Sequence, residues 1–259
     1  MFGQNPIRSA DYADPTHLAI EETFYTIQGE GPYAGQPAVF IRLSGCNLAC
    51  HFCDTQFEKM AEVKQDVTRY LDWFNASFTG DQRRLIVITG GEPMRQNLGE
   101  LLVGLLAPDR NTEIIQIETA GTLWQPEYPA GWQFSDMLQD GEVVLVCSPK
   151  TPKVHAEIEA ACNHWKYVIK AGEVDEWGIP NRSTQLVDGK LRGLYRPKSV
   201  AEGMSGGALE FTGHETIWLS PCDEYDGDKN MANLAEVREL SLKHGHRISI
   251  QMHKLLGVA

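Results

Sequence analysis

Seven short apolar runs, rich in β-branched residues, recur along the chain with helix-patterned stretches between them, and this alternation constrains the fold more than any other feature. The runs fall near 38–43 (AVFIRL), 85–89 (LIVIT), 114–118 (IIQIE), 143–147 (VVLVC), 166–169 (KYVI), 216–219 (TIWL) and 247–251 (RISIQ). Bounded by Gly, Pro and Asp, they read as buried parallel strands. Helices are expected near 66–74, 97–106, 154–161 and 230–244, the first opened by Asp66 as N-cap and the last stopped by Gly245. The stripes Leu101, Leu102, Leu105, Leu106 and Leu234, Val237, Leu240 mark their core faces. Strand–helix alternation predicts an α/β fold with a parallel sheet and right-handed crossovers, open or curved into a barrel. Residues 171–209 are rich in Gly, Pro and charge without a period. They read as an excursion inserted into one domain spanning 1–259.

Composition narrows the function classes. The net charge of −12 argues against an extended nucleic-acid surface, which needs a basic face, while a few local Arg and Lys residues suffice for a small anionic substrate. No run of about 18 apolar residues exists to span a membrane. The first twenty residues carry Pro6, Asp11, Asp14 and Pro15 where a signal peptide needs an apolar core, so the expected location is the cytoplasm. Of the six cysteines, Cys46, Cys50 and Cys53 cluster, while Cys147, Cys162 and Cys222 are scattered. That pattern suits a metal or cluster site plus buried thiols better than a disulfide framework.

The unusual residues follow the strands. GCNLACHFCDT comes after the first run, GGEP (90–93) after the second, ETAG (118–121) after the third, SPK (148–150) after the fourth and SPCD (220–223) after the sixth. One such motif is a generic turn, whereas five in succession mark the functional face of a barrel or an open α/β sheet. A structural zinc wants four closed ligands, which His51 or Asp54 would complete only awkwardly from inside the loop. Three thiolates on a four-iron cluster leave one iron open to chelate a small molecule.

The spacing C-x3-C-x2-C directly after a first strand, with the aromatic Phe52 before the last cysteine, resembles the radical S-adenosylmethionine (SAM) signature. Residues 26–55 (TIQGEGPYAGQPAVFIRLSGCNLACHFCDT) look like the 7-carboxy-7-deazaguanine synthase family, radical SAM lyases of queuosine-precursor and 7-deazapurine biosynthesis. The QGEG box, Arg42, the cysteine triplet, Asp54-Thr55, TGGEP, SPK and a terminal Q-x-H-K match in order. The resemblance runs from about residue 22 to the C-terminus and is weakest across 171–209.

That resemblance implies a partial TIM-like barrel of about six parallel β/α units. It also implies a reaction, conversion of 6-carboxy-5,6,7,8-tetrahydropterin to 7-carboxy-7-deazaguanine with loss of ammonia. In the family a reduced 4Fe-4S cluster passes one electron into SAM, and the resulting 5′-deoxyadenosyl radical takes a hydrogen from the pterin. The cofactor carries the hard chemistry, so no acid–base dyad is expected. On this likeness Cys46, Cys50 and Cys53 hold the cluster and Thr55 ligates Mg²⁺. Ile27, Gln28, Gly29, Glu30, Arg42, Thr89, His253 and the carboxylate of Ala259 contact the substrate. Gly91, Glu92, Ser148, Pro149, Lys150, Ser220, Pro221, Cys222 and Asp223 contact SAM. The motif SPCD departs from the family's usual Gln-Pro start, which leaves its side-chain roles open, and Cys222 reads as a buried or SAM-adjacent thiol. Expected partners are a flavodoxin- or ferredoxin-like electron donor and a second copy in a homodimer.

Each residue also has a plainer reading. Glu30 and Arg42 could pair with each other as scaffolding, Lys150 could be a surface lysine, Thr55 a turn residue, Thr89 a strand former, and residue 259 part of a frayed end. His244 and His246 flank a helix end and read as structural. Two other classes share the cysteine loop: a radical SAM activase working on a protein partner, and a non-enzymatic iron–sulfur or zinc protein.

Overall fold

The computed structural model describes residues 5–51, 53, 63–77, 84–126, 128, 133–184, 190–197 and 215–258. Its centre is an eight-stranded sheet: β1 (Ile20–Ile27), β2 (Pro37–Leu43), β3 (Arg84–Gly90), β4 (Thr112–Thr119), β5 (Val143–Cys147), β6 (His164–Ile169), β7 (Thr216–Pro221) and β8 (Arg247–Ile248). Each strand is hydrogen-bonded to its predecessor in the chain, and all pairs are parallel except β1–β2. All seven expected strands are therefore present, in a mostly parallel α/β sheet. The eighth, β1, escapes a search for apolar runs. IEETFYTI lies at the sheet edge with only Ile20 and Thr26 buried, so its composition is mixed.

Helices α1 (Val67–Ser77), α2 (Gly99–Leu105), α3 (Phe134–Gln139), α4 (Ala156–Ala161), α5 (Gly227–His244) and α6 (Met252–Leu256) complete the order. Asp66 caps α1 by accepting from the Thr68 N–H at 2.9 Å, and α5 stops at Gly245 in the left-handed region (φ 74°), as the sequence predicts. The start of α5 lies three residues before the expected Asn230, because Asp226 accepts from the N–H groups of Asp228 and Lys229. Short α3 and α6 carry too few turns for a periodic signal. Leu234 is a correction: it is 40% exposed, outside the α5 face that Val237 and Leu240 bury.

Alternation along the strands separates two faces. Val39, Ile41 and Leu43 of β2, Ile86 and Ile88 of β3, Ile115 and Ile117 of β4, and Trp165, Tyr167 and Ile169 of β6 join one large core with Leu101, Leu102, Ile158 and Val237 from the helices. On the opposite face Ala38, Leu85 and Val87 form a small apolar plug. Beyond the plug, toward the strands' carboxyl ends, that face turns polar with Arg42, Thr89, Glu118 and Lys166. Among the described residues, no helix is long and apolar enough to cross a membrane. The described part of the excursion, residues 171–184 and 190–197, folds back on the sheet: Tyr167 Oη donates to Tyr195 O at 2.8 Å, and the Tyr195 N–H donates to Thr151 O at 2.9 Å.

Candidate active site

A cavity of about 340 Å³ opens at the carboxyl ends of the strands. Cys46, Cys50 and Cys53 line it, with Gly91, Ser148, Lys150, Ser220, Pro221, Cys222 and Asp223. So do Ile27, Gln28, Glu30, Arg42, Thr89 and His253. Five separate strand ends thus deliver the sequence-selected residues to one space. Gly29, Glu92 and Pro149 do not reach it. Thr55 and Ala259 lie outside the described residues, as do Phe52 and Asp54.

The three exceptions have physical causes. Gly29 is covered by the C-terminal segment: the Met252 N–H donates to its carbonyl at 3.2 Å, and a Cβ there would stand 2.1 Å from His253 Nδ1. Glu92 is wholly buried, and its carboxylate is occupied by the Thr119 hydroxyl at 2.7 Å, the Ala120 N–H at 2.7 Å and the Met94 N–H at 3.0 Å. Burial pushes its pKa up, and those donors only partly offset it. Pro149 lines a neighbouring cavity of about 150 Å³.

The glycines of GGEP are explained by backbone contact. Gly90 has φ 135°, and a Cβ there would lie 2.1 Å from Leu43 O. At Gly91 the same atom would lie 2.0 Å from Gly45 O. The Gly91 and Glu92 N–H groups donate to Leu43 O and Gly45 O, each at 3.0 Å. GGEP is therefore seated against the backbone that launches the cysteine loop, which only glycine permits.

The sheet face of the cavity adds Glu118, which the sequence marks within ETAG without a contact, and Lys166, which the sequence does not mark. Glu118 accepts from Gln28 Nε2 at 3.2 Å, Thr89 Oγ1 at 3.1 Å and Gln116 Nε2 at 3.0 Å. Lys166 Nζ donates to Glu30 Oε2 at 2.5 Å. Burial works against the charged Glu30 carboxylate, but Lys166, helped by His253 and Gln251, outweighs it and holds the pKa below the ordinary value. Phe24 and Phe40 stack with centroids 5.1 Å apart, and both line the cavity. The scaffolding pair envisaged between Glu30 and Arg42 does not form. Arg42 Nε instead donates to Glu22 at 2.7 Å, its partner in the β1–β2 register. A signal for Lys166 and Glu118 existed: each is a charge at alternate spacing within an apolar strand.

Comparison with known proteins identifies the family. A protein from Rhodospirillum rubrum named 7-carboxy-7-deazaguanine synthase is 40% identical over 270 residues, covering all of both chains. The chain belongs to the 7-carboxy-7-deazaguanine synthase family. A second relative of that name, from Rickettsia prowazekii, is 34% identical over all of this chain and 96% of its own. The fold is similar to the crystal structure of QueE from Escherichia coli, with a TM-score of 0.56 and 23% identity over 91% of this chain and 94% of that one. No family model matches the chain.

The donor set fits the iron–sulfur cluster that the family implies. Three thiols line one cavity, and each accepts a hydrogen bond: from the Leu48 N–H to Cys46 Sγ at 3.4 Å, from Thr184 Oγ1 to Cys50 Sγ at 3.2 Å and from Asn5 Nδ2 to Cys53 Sγ at 3.5 Å. Among the described residues they are not drawn together as a closed metal site. Burial first, with the nearby Glu92, Cys50 and Cys53 adding, pushes the Cys46 thiol up to about 12, so it is neutral unless a metal displaces its proton. Lys150 lies beside this group. Burial lowers its pKa, and its ammonium donates to Ser148 O at 2.8 Å and to the Ser148 hydroxyl. Cys222 is 4% exposed at the cavity wall, with its thiol raised by burial.

Proposed function

We propose that this chain is a radical SAM lyase that converts 6-carboxy-5,6,7,8-tetrahydropterin to 7-carboxy-7-deazaguanine with loss of ammonia, on the route to queuosine and related 7-deazapurines. The observation that carries the reading is one cavity lined both by three thiols and by a network of hydrogen-bonding side chains, in a chain alignable end to end with a relative of that name. The sequential strand order, with helices packed on one face, supports a partial barrel around that cavity.

Cys46, Cys50 and Cys53 would hold a 4Fe-4S cluster. Gly91, Ser148, Lys150 and the Ser220–Asp223 stretch would hold SAM. The cluster and SAM, when bound, supply a 5′-deoxyadenosyl radical; the protein's part is to orient, shield and tune. Glu118 and Gln28 would present acceptors and donors to the N–H edge of the pterin's planar pyrimidine ring, with Phe24 and Phe40 beside it. Arg42 would exchange Glu22 for the substrate carboxylate, forking onto it by two N–H donors. Glu30, fixed as an anion by Lys166, adds an acceptor at the same edge. Mg²⁺ at Thr55 and a contact from the Ala259 carboxylate extend the proposal, as do a homodimer and a low-potential flavodoxin- or ferredoxin-like donor.

Anaerobic reconstitution, followed by dithionite, SAM, Mg²⁺ and carboxytetrahydropterin, tests it. Mass spectrometry should detect 7-carboxy-7-deazaguanine, and Cys50→Ala should yield none. SAM cleaved without product would sink the substrate and return the activase reading. No cleavage on a reduced cluster would sink the enzyme reading altogether.

A further inference from the structure

The hydrogen bonds to the three thiols differ in origin. The Leu48 N–H comes with the turn of the cysteine loop itself. The other two donors are side chains carried in from far along the chain, Thr184 from 134 positions after Cys50 and Asn5 from 48 positions before Cys53. Both are buried, at 6% and 7% exposure. Thr184 is also fixed by its backbone, whose N–H donates to Lys150 O at 3.1 Å. The excursion is thus anchored along the loop after β5 and ends one hydroxyl against Cys50. That hydroxyl has a single proton and two acceptors within reach, Cys50 Sγ and Lys150 O, both at 3.2 Å. A thiolate competes for the proton better than a neutral carbonyl, so ligation of Cys50 would commit it to sulfur.

We propose that Thr184 and Asn5 set the reduction potential of the cluster, by donating hydrogen bonds to the Cys50 and Cys53 thiolates. The proposal rests on the reading that these cysteines carry a four-iron cluster. Uptake of one electron from a low-potential donor adds negative charge that the ligating sulfurs share. An O–H or N–H aimed at a sulfur stabilises the reduced form more than the oxidised one and raises the potential. No covalent bond in the protein is made or broken. These are positioning residues: neither is assigned a contact with substrate or SAM. The excursion thereby gains a role, delivering Thr184 to the cluster.

Thr184→Val keeps the shape and removes the donor, Thr184→Ser keeps the donor, and Asn5→Leu removes the second. Each chain is reconstituted anaerobically, its iron and sulfide content is measured, and its midpoint potential is read by EPR-monitored titration without SAM or substrate. Thr184→Val is expected to load a full cluster with a more negative midpoint, and Thr184→Ser to return it. Asn5→Leu should shift the same way by less, since its contact is longer. Equal midpoints in all chains overturn the proposal, and a shift in one variant alone removes the other residue from it. Where Thr184→Val loads no iron, Asn5→Leu carries the test, and its unchanged midpoint overturns the proposal. Failure of the unchanged protein to load iron overturns the cluster reading and this inference with it, and the iron content separates that case from a midpoint that does not move.

Discussion

The two walls of the cavity are built in opposite ways. On the cysteine side, the backbone of Gly90 and Gly91 is locked to Leu43 and Gly45, and Glu92 spends its carboxylate inside the protein on Thr119, Ala120 and Met94. On the sheet face formed by β1, β3, β4 and β6, side chains line the open space: Gln28, Thr89 and Glu118 in one network and Glu30 with Lys166 in another. Both walls contain a carboxylate with three donors, Glu92 and Glu118, yet only Glu118 lines the cavity. Identical chemistry therefore serves the fold on one wall and is available to a ligand on the other. Substitutions should divide accordingly, into those that cost stability and those that cost affinity.

The largest effect should come from Gly91→Ala. Its Cβ would collide with Gly45 O at 2.0 Å, backbone against backbone, and the loss of about 3 kcal/mol or more should show as a lack of soluble protein or a steeply lowered Tm. Next is Glu92→Gln, which turns an amide NH₂ toward groups that already donate. About 2 kcal/mol should disappear from the unfolding free energy measured in denaturant. Glu118→Gln is the matched case. It should leave the denaturant midpoint close to that of the unchanged protein and raise KM for the pterin roughly tenfold, the equivalent of about 1.4 kcal/mol. If Glu118→Gln instead unfolds the protein as readily as Glu92→Gln, the distinction between the walls fails.

The smallest effect concerns the clasp of α6, where Lys254 Nζ meets Asp223 Oδ2 at 2.6 Å. That bond, then the Tyr225 N–H and the Asn230 amide, hold the Asp223 carboxyl down to about 2 from its ordinary 3.8. A depressed carboxylate contributes stability above the unfolded value that is lost as the pH falls from about 4 toward 2. Lys254→Met should therefore cost less than about 1 kcal/mol at neutral pH, the pair being partly exposed, and the cost should shrink as the pH falls through about 2 and vanish below it. Thermal melts of both proteins across that range would reveal a gap that fails to close.

Which parts of this were legible in advance follows from the same contrast. Strands were readable because a sheet covered by helices demands apolar β-branched runs, and the caps Asp66 and Gly245 are local chemistry. The cysteine wall was readable because its motifs are contiguous. Edge strand β1 was missed because exposure on a sheet edge relaxes the apolar requirement. Lys166 is legible only face by face, since it sits inside its strand's run, whereas Glu118 opens the ETAG motif at a strand end and lacks only a named contact. Arg42 was assigned to the cavity but not to Glu22, since that pairing depends on a register between two strands that the sequence does not reveal. The contacts of Thr184 and Asn5 with sulfur depend on long-range folding and carry no local signal.

The strand order has a temporal side. With every strand beside its predecessor, a chain leaving the ribosome can extend the sheet one strand at a time without waiting for a later insertion. The cavity does not follow that schedule. Ser249 Oγ receives the Gly31 N–H across 218 positions of sequence, and Met252 and His253 cover Gly29 only after that. A nascent chain thus carries a nearly finished sheet while its binding space is still open, and the segment that encloses Glu30 is translated after every strand of that sheet.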